Sequence, residues 1–94
     1  MEDYEGMFIV RPDLDQVQSE NAAKNIEEAI TSNKGTIKEN LAWGKRQLSY
    51  KISKYREGLY RLVHFQIDPS NVKKIRRVYG LNENILKMLI IRRS

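Results

Sequence analysis

The chain has 94 residues, of which 40% are hydrophobic and 31% charged, and its net charge is +5. This composition fits a single folded domain, 1–94, and the length is too short for two hydrophobic cores. It contains no cysteine, which excludes disulfides, thiolate nucleophiles and cysteine-based metal sites. Its longest apolar runs have four residues, against about 20 needed to span a bilayer, and its first residues are acidic, unlike those of a signal peptide. We therefore expect a cytoplasmic domain without a membrane segment.

Charge is divided unequally along the sequence. Residues 1–40 contain four Lys or Arg against nine Asp or Glu, a net charge of −5, whereas residues 41–94 contain thirteen against three, a net charge of +10. A half this basic produces a positive field that attracts polyanions. Nucleic acid is the first partner to consider, and a solvated basic face without a dedicated partner is the alternative.

Hydrophobic spacing predicts a strand and a helix at the start of the chain. Residues 4–11 alternate with apolar side chains on both faces, which is typical of a central strand, and Pro12 ends it. Asp13 is the predicted N-cap of an amphipathic helix that continues to Asn33. Gly35 then supplies the left-handed exit that helix ends favour.

Residues 36–53 also alternate, but the apolar positions switch from odd numbers before Gly44 to even numbers after Gln47. One extra residue produces such a switch, as in a β-bulge, and glycine tolerates it. We predict one long strand bent near Gly44. Two separate strands joined at Gly44-Lys45 are the alternative, although no Asn-Gly or Asp-Gly turn signal is present.

Three further elements follow in the second half. Residues 54–58 form a predicted turn and 59–68 a second central strand, after which Asp68 caps a short helix that ends at Gly80. Residues 85–92 form the last strand.

The order strand, helix, strand, strand, helix, strand predicts an α+β fold, the ferredoxin-like βαββαβ sandwich. Its four-stranded antiparallel sheet carries both helices on one face and leaves the other face open. The side chains expected on the open face are Met7, Ile9, Tyr60, Leu62 and His64.

Catalytic and metal-binding patterns are missing from the sequence. His64 is the only histidine and lies in mid-strand without a convincing carboxylate neighbour, so we interpret it as a sheet residue. Glycine-rich phosphate loops and nucleophile motifs are absent. Residues 57–64 correspond to the base-stacking strand of RNA recognition motifs but lack its first aromatic, which leaves Tyr60 as the one platform there. We predict no enzymatic activity, metal or cofactor.

The run from Trp43 to Ile52, WGKRQLSYKI, is the most specific string in the chain. With Tyr4-Glu5 and Pro12-Asp13-Leu14, it resembles the bacterial small-subunit ribosomal protein six family, and the likeness covers essentially all residues. Members have the ferredoxin-like fold and bind the central domain of small-subunit (16S) ribosomal RNA as a heterodimer with ribosomal protein eighteen. The resemblance implies the same RNA and partner here, on the cytoplasmic ribosome, and a structural role.

If RNA is the ligand, Lys and Arg side chains should contact mainly its phosphates. The predicted RNA contacts lie on the bent strand, in the turn after it and at the end of the last strand: Lys45, Arg46, Lys54, Arg56, Arg92 and Arg93. The alternative for each of them is a solvated surface charge.

Three large side chains flank Lys45 and Arg46 on the bent strand. They are the predicted contacts with the protein partner: Trp43, Leu48 and Tyr50. The alternative is that they fill the core. For the protein as a whole, the alternative is a small ligand-sensing or oligomerising domain, because the fold alone does not determine function.

Overall fold

The structure is a computed structural model that describes residues 1–93. Its elements are β1 (Glu2–Val10), α1 (Gln16–Ser32), β2 (Thr36–Ile52), β3 (Tyr55–Ile67), α2 (Pro69–Gly80) and β4 (Ile85–Arg92). The strands pair antiparallel in the order β2-β3-β1-β4. The predicted ferredoxin-like fold is confirmed, with β1 and β3 at its centre.

The core lies between the sheet and the two helices. It is formed by alternate residues of the central strands, by the inner faces of the helices and by one residue of β4: Tyr4, Phe8, Val10, Val63, Phe65, Ile67, Ala22, Ile26, Ala29, Ile30, Ile75, Tyr79 and Ile90. The Phe8 ring meets the Tyr79 ring edge to face, with centroids 4.8 Å apart. The Tyr79 hydroxyl donates a hydrogen bond of 2.6 Å to the Ile26 carbonyl, so α2 is joined to α1 inside the core.

Helix α1 begins two residues later than predicted. Asp15, and not Asp13, is its N-cap: the Asp15 carboxylate accepts from the Gln18 N–H at 2.8 Å, and the Gln18 side chain accepts from the Asp15 N–H at 3.1 Å. Asp13 forms an ion pair with Arg11 and accepts a hydrogen bond from the Tyr55 hydroxyl. Both aspartates have a glutamine three residues later, so the capping pattern occurs twice, and the tertiary contact with Tyr55 occupies the first.

The turn after α1 also differs from the prediction. Lys34 is the residue with left-handed backbone, at φ 67°, and Gly35 is not. A Cβ atom at Gly35 would lie 2.6 Å from the Ile30 Cγ2 and 3.0 Å from the Gln66 carbonyl oxygen. Glycine is therefore required there for close packing between the turn, α1 and β3.

The long bent strand is confirmed, because β2 runs unbroken from Thr36 to Ile52. Its register with β3 shifts between Ala42 and Gly44, so Trp43 is the extra residue of a bulge, and Gly44 adopts φ 85°. The predicted turn over residues 54–58 is wrong. The chain turns at Ser53, which has φ 57°, and the residues from Tyr55 onward already pair with β2.

Candidate nucleic-acid interface

The β2–β3 hairpin extends past the end of the central strand β1. Val10, the last residue of β1, pairs with Leu59, and Leu59 pairs with Lys45. Residues 45–58, which we term the basic arm, therefore begin at that level and project beyond it. The arm carries five cations and one acid, Glu57; its cations are Lys45, Arg46, Lys51, Lys54 and Arg56.

Side-chain contacts hold the basic arm on both sides. The Tyr55 hydroxyl donates to the Asp13 carboxylate in the loop before α1, at 3.1 Å. The Arg11 guanidinium and this hydroxyl hold the pKa of Asp13 below its ordinary value. On the other side, the Lys87 ammonium of β4 donates to the Tyr50 hydroxyl at 3.0 Å. These contacts fix the direction of the arm before any ligand binds.

The open face of the sheet carries an apolar row across all four strands. The pairing places Leu41, Leu62, Met7 and Leu89 side by side, and Leu41 and Leu89 at the two ends are 45% and 57% exposed. The expected open face is thus present at Met7, Tyr60, Leu62 and His64, which are all partly exposed. Ile9 is the exception: it is 7% exposed, since the arm packs over it at Gly58.

The structure separates the six cations predicted to contact RNA into two groups. Lys45, Arg46, Lys54 and Arg56 belong to the basic arm, and none of them forms an ion pair within residues 1–93. In the β1–β4 strand pairing, Arg92 lies opposite Tyr4, near the other end of β1. At roughly 3.3 Å per residue along the strand, this position is about 20 Å from Val10.

Both arginines of the second group are neutralised by carboxylates of β1. Arg92 contacts Glu2 and Arg93 contacts Glu5, each at 2.9 Å. The two groups therefore differ in position and in free charge, which the sequence had not revealed.

His64 has a carboxylate neighbour that its position in the sequence does not indicate. Its Nε2 lies 3.4 Å from the Asp3 Oδ1, which is too long for a good hydrogen bond. Its Nδ1 lies 3.3 Å from an Arg93 nitrogen. Hydrogen bonding from Gln66, with smaller effects of the neighbouring His64 ring and the Arg93 guanidinium, holds the pKa of Asp3 below its ordinary value. The cluster is an extension of the Arg93–Glu5 pair.

The three side chains predicted to contact the protein partner all lie outside the core cluster. Trp43 is 44% exposed and Tyr50 is 64% exposed, so neither fills the core. Leu48 is partly buried beside Gly58. Each exposed ring has a cation near it: the Arg46 guanidinium is 5.5 Å from the Trp43 ring centroid, and the Lys87 ammonium is 5.5 Å from that of Tyr50.

Two residues that position the arm were not predicted from the sequence. Tyr55 and Lys87 contact partners that are 42 and 37 residues away, and no local pattern reports such contacts. In the part of the chain that the structure describes, no group of three His, Asp or Glu side chains could hold a metal ion. Neither of the helices in that part is long and apolar enough to cross a membrane.

Comparison with known proteins agrees with this architecture. The family model described as Ribosomal protein S6 matches residues 3–92. Small ribosomal subunit protein bS6 of Symbiobacterium thermophilum is 38% identical over 92 residues, which are 98% of this chain and 97% of that protein. The bS6 protein of Helicobacter acinonychis is 34% identical over 92 residues, but this chain spans only 65% of its length.

A solved structure gives the same result in three dimensions. The crystal structure of 30S ribosomal protein S6 from Thermotoga maritima superposes with a TM-score of 0.92 at 29% identity, covering 98% of this chain and 87% of that one. Sequence and structure thus agree over nearly the whole chain, and the protein belongs to the ribosomal protein S6 family of the small ribosomal subunit.

Proposed function

We propose that this protein is a structural, non-catalytic component of the small subunit of the cytoplasmic ribosome. In this proposal it binds the central domain of small-subunit ribosomal RNA, mainly through phosphates, together with ribosomal protein eighteen. The observation that carries the proposal is the basic arm, whose five cations make no ion pair in the described range. Family membership supports it over the ligand-sensing alternative.

The free charge of the arm is the physical basis for RNA binding. A Lys or Arg that contacts phosphate releases counterions from the RNA, and this release drives association. Within residues 1–93 the arm cations have no carboxylate partner to exchange for a phosphate, and the contacts of Tyr55 and Tyr50 hold the arm in place. Arg92 and Arg93 would first have to leave Glu2 and Glu5, so we propose a smaller contribution from them.

The proposed contact with the protein partner uses the exposed apolar surface near the arm. Tyr50 is largely exposed, and Leu48 beside it is partly exposed. Such a surface suits a protein interface in which the Tyr50 ring is the anchor and Leu48 contributes to the surrounding contacts. Replacing Tyr50 by Ala separates two roles. Loss of the heterodimer at an unchanged melting temperature supports the interface, whereas a large fall in melting temperature supports a structural role for this ring.

Salt dependence of RNA affinity tests the proposal. We expect Arg46→Glu with Arg56→Glu to weaken binding to a central-domain RNA junction, measured with the partner protein present. The slope of log affinity against log salt should become shallower by about 0.7 to 0.9 for each phosphate that the variant no longer neutralises. An unchanged slope would remove these residues from the interface.

The matched control places the same change of charge on the helix layer. Lys73 and Arg77 are exposed on α2 and form no ion pair in the described residues. Lys73→Glu with Arg77→Glu lowers the net charge equally. If both double variants weaken binding to the same extent, the general positive field binds the RNA and the arm is not a specific contact.

A further inference from the structure

Trp43 occupies an unusual place in the sheet. It is the extra residue of the bulge between Ala42 and Gly44, so it has no partner of its own in the β3 ladder. The side chain lies outside the core cluster and is 44% exposed. A bulge commonly re-aims a side chain near a functional site, and the half-exposed indole stands at the foot of the basic arm.

The surroundings of Trp43 are cationic and open. The Arg46 guanidinium lies 5.5 Å from the centroid of the indole ring, and Lys45 is exposed two residues further along the chain. A Cβ atom at Gly44, the next residue in the chain, would find no heavy atom of the described residues within 4 Å other than those of its two chain neighbours, so the surface at the bulge is open. An aromatic face, a guanidinium plane and free space are the elements that receive an unpaired base.

We infer that Trp43, together with Arg46, forms a stacking site for one unpaired nucleobase of the bound RNA. This site rests on the proposed RNA-binding function and adds to it a contact that is not electrostatic. The indole stacks on the face of the base, and Arg46 contacts the same nucleotide by stacking or through its phosphate. The contact tolerates any of the four bases, because every base has such a face.

The protein partner is the alternative ligand for Trp43, and the local charge favours RNA. An anchor residue at a protein interface is surrounded by contacts that exclude water from it. Here the Arg46 guanidinium, which forms no ion pair within residues 1–93, lies against the ring, and the exposed Lys45 is two residues away. Desolvating those two cations against a protein would cost more than placing them against a polyanion.

Trp43 reports on this site directly because it is the only tryptophan. The experiment titrates the complete chain with a central-domain RNA junction, in the presence of a partner protein whose tryptophans, if any, are replaced by phenylalanine. We expect the RNA to quench the emission of Trp43. We expect Trp43→Leu to lower the RNA affinity roughly 5- to 150-fold, the range for one base stacked on an aromatic ring, while Trp43→Phe retains most of the affinity.

Two controls separate stacking from charge and from misfolding. Trp43→Leu should leave the salt slope unchanged, because stacking releases no counterions, whereas the arm charge variants lower that slope. On RNA whose unpaired nucleotides are abasic, wild type and Trp43→Leu should bind equally. An unchanged melting temperature for Trp43→Leu shows that the fold is intact, as the exposure of the ring predicts.

Three outcomes would overturn the inference. A blue shift on adding the partner protein alone, with loss of the heterodimer in Trp43→Leu, would make this residue a protein anchor. Unquenched emission with normal RNA affinity in Trp43→Leu would remove the stacking site, although RNA binding through the arm would stand if its salt slope persists. Absence of RNA binding by the wild type would overturn the proposed function itself.

Discussion

Lys87 and Tyr50 lie on the two opposite edge strands of the sheet, yet the Lys87 ammonium donates a hydrogen bond of 3.0 Å to the Tyr50 hydroxyl. The basic arm therefore reaches across the end of β1, where Leu48 and Tyr50 line the same surface recess as Ile9 and Lys87. Ile9 becomes buried under the arm as a result. The open face is thereby divided into a covered end, next to the cations, and an uncovered apolar row from Leu41 to Leu89.

The pKa of Lys87 reports whether this contact forms in solution. Hydrogen bonding to Tyr50, with the phenolate charge of that residue at high pH, raises the pKa of Lys87 above its ordinary value. Tyr50→Phe keeps the ring but removes the acceptor, so the pKa of Lys87 should fall, as followed by NMR of the lysine Cε. Tyr60→Phe is the control, with a smaller expected fall. Equal changes in both variants would mean that the arm does not reach β4.

Gly58 and Gly80 offer a matched pair for testing how tightly the arm packs. A Cβ atom at Gly58 would collide with the Ile9 Cγ2, whereas one at Gly80 meets no heavy atom of the described residues within 4 Å. Gly58→Ala should lower the free energy of unfolding by about 1–3 kcal/mol through overpacking. Gly80→Ala should be neutral or stabilising by up to about 1 kcal/mol at the end of α2. Urea denaturation measures both changes in the free energy of unfolding. Similar changes in the two variants would show that the arm is not tightly packed against Ile9.

The sequence predicted the fold well because its signals are local. Alternation, capping patterns and glycines determine the type of each element, and the order of elements restricts the topology. Even the bulge was visible, as a change from odd to even apolar positions around Gly44. The N-cap of α1 was mistaken because Asp13 and Asp15 carry equivalent local signals, and only the distant Tyr55 distinguishes them.

The candidate site was predicted less completely, because its grouping depends on register. The sequence indicates that Arg56 and Arg92 are both basic and close to strand ends. It does not give the register that brings Arg92 next to Glu2, where a carboxylate neutralises it. The partners of a surface charge are set by strands distant in sequence, so a count of cations overestimates the charge free to bind RNA.

A second stability test addresses the joint between the two helices. The Tyr79 hydroxyl is buried and donates to the Ile26 carbonyl at 2.6 Å, and burial raises the pKa of Tyr79 above its ordinary range. Tyr79→Phe keeps the ring contact with Phe8 but removes this hydrogen bond, which should lower the free energy of unfolding by about 1 kcal/mol. Tyr60→Phe should change it little, since its hydroxyl has no partner within the described residues. Equal decreases in urea unfolding would contradict the assignment.

Acid should weaken the cap of α2 in a defined direction. Hydrogen bonds from the Ser70 hydroxyl and then the Ser70 N–H hold the pKa of Asp68 below its ordinary value. A lowered folded pKa adds stability that is present above the unfolded pKa, about 3.9, and is lost as pH falls through the folded value. Asp68→Asn still caps the helix but does not titrate. The wild type should therefore have a higher free energy of unfolding than Asp68→Asn, by a difference that shrinks below about pH 4. Ser70→Ala should reduce this pH-dependent difference. A difference that stays constant with pH would contradict the charged cap.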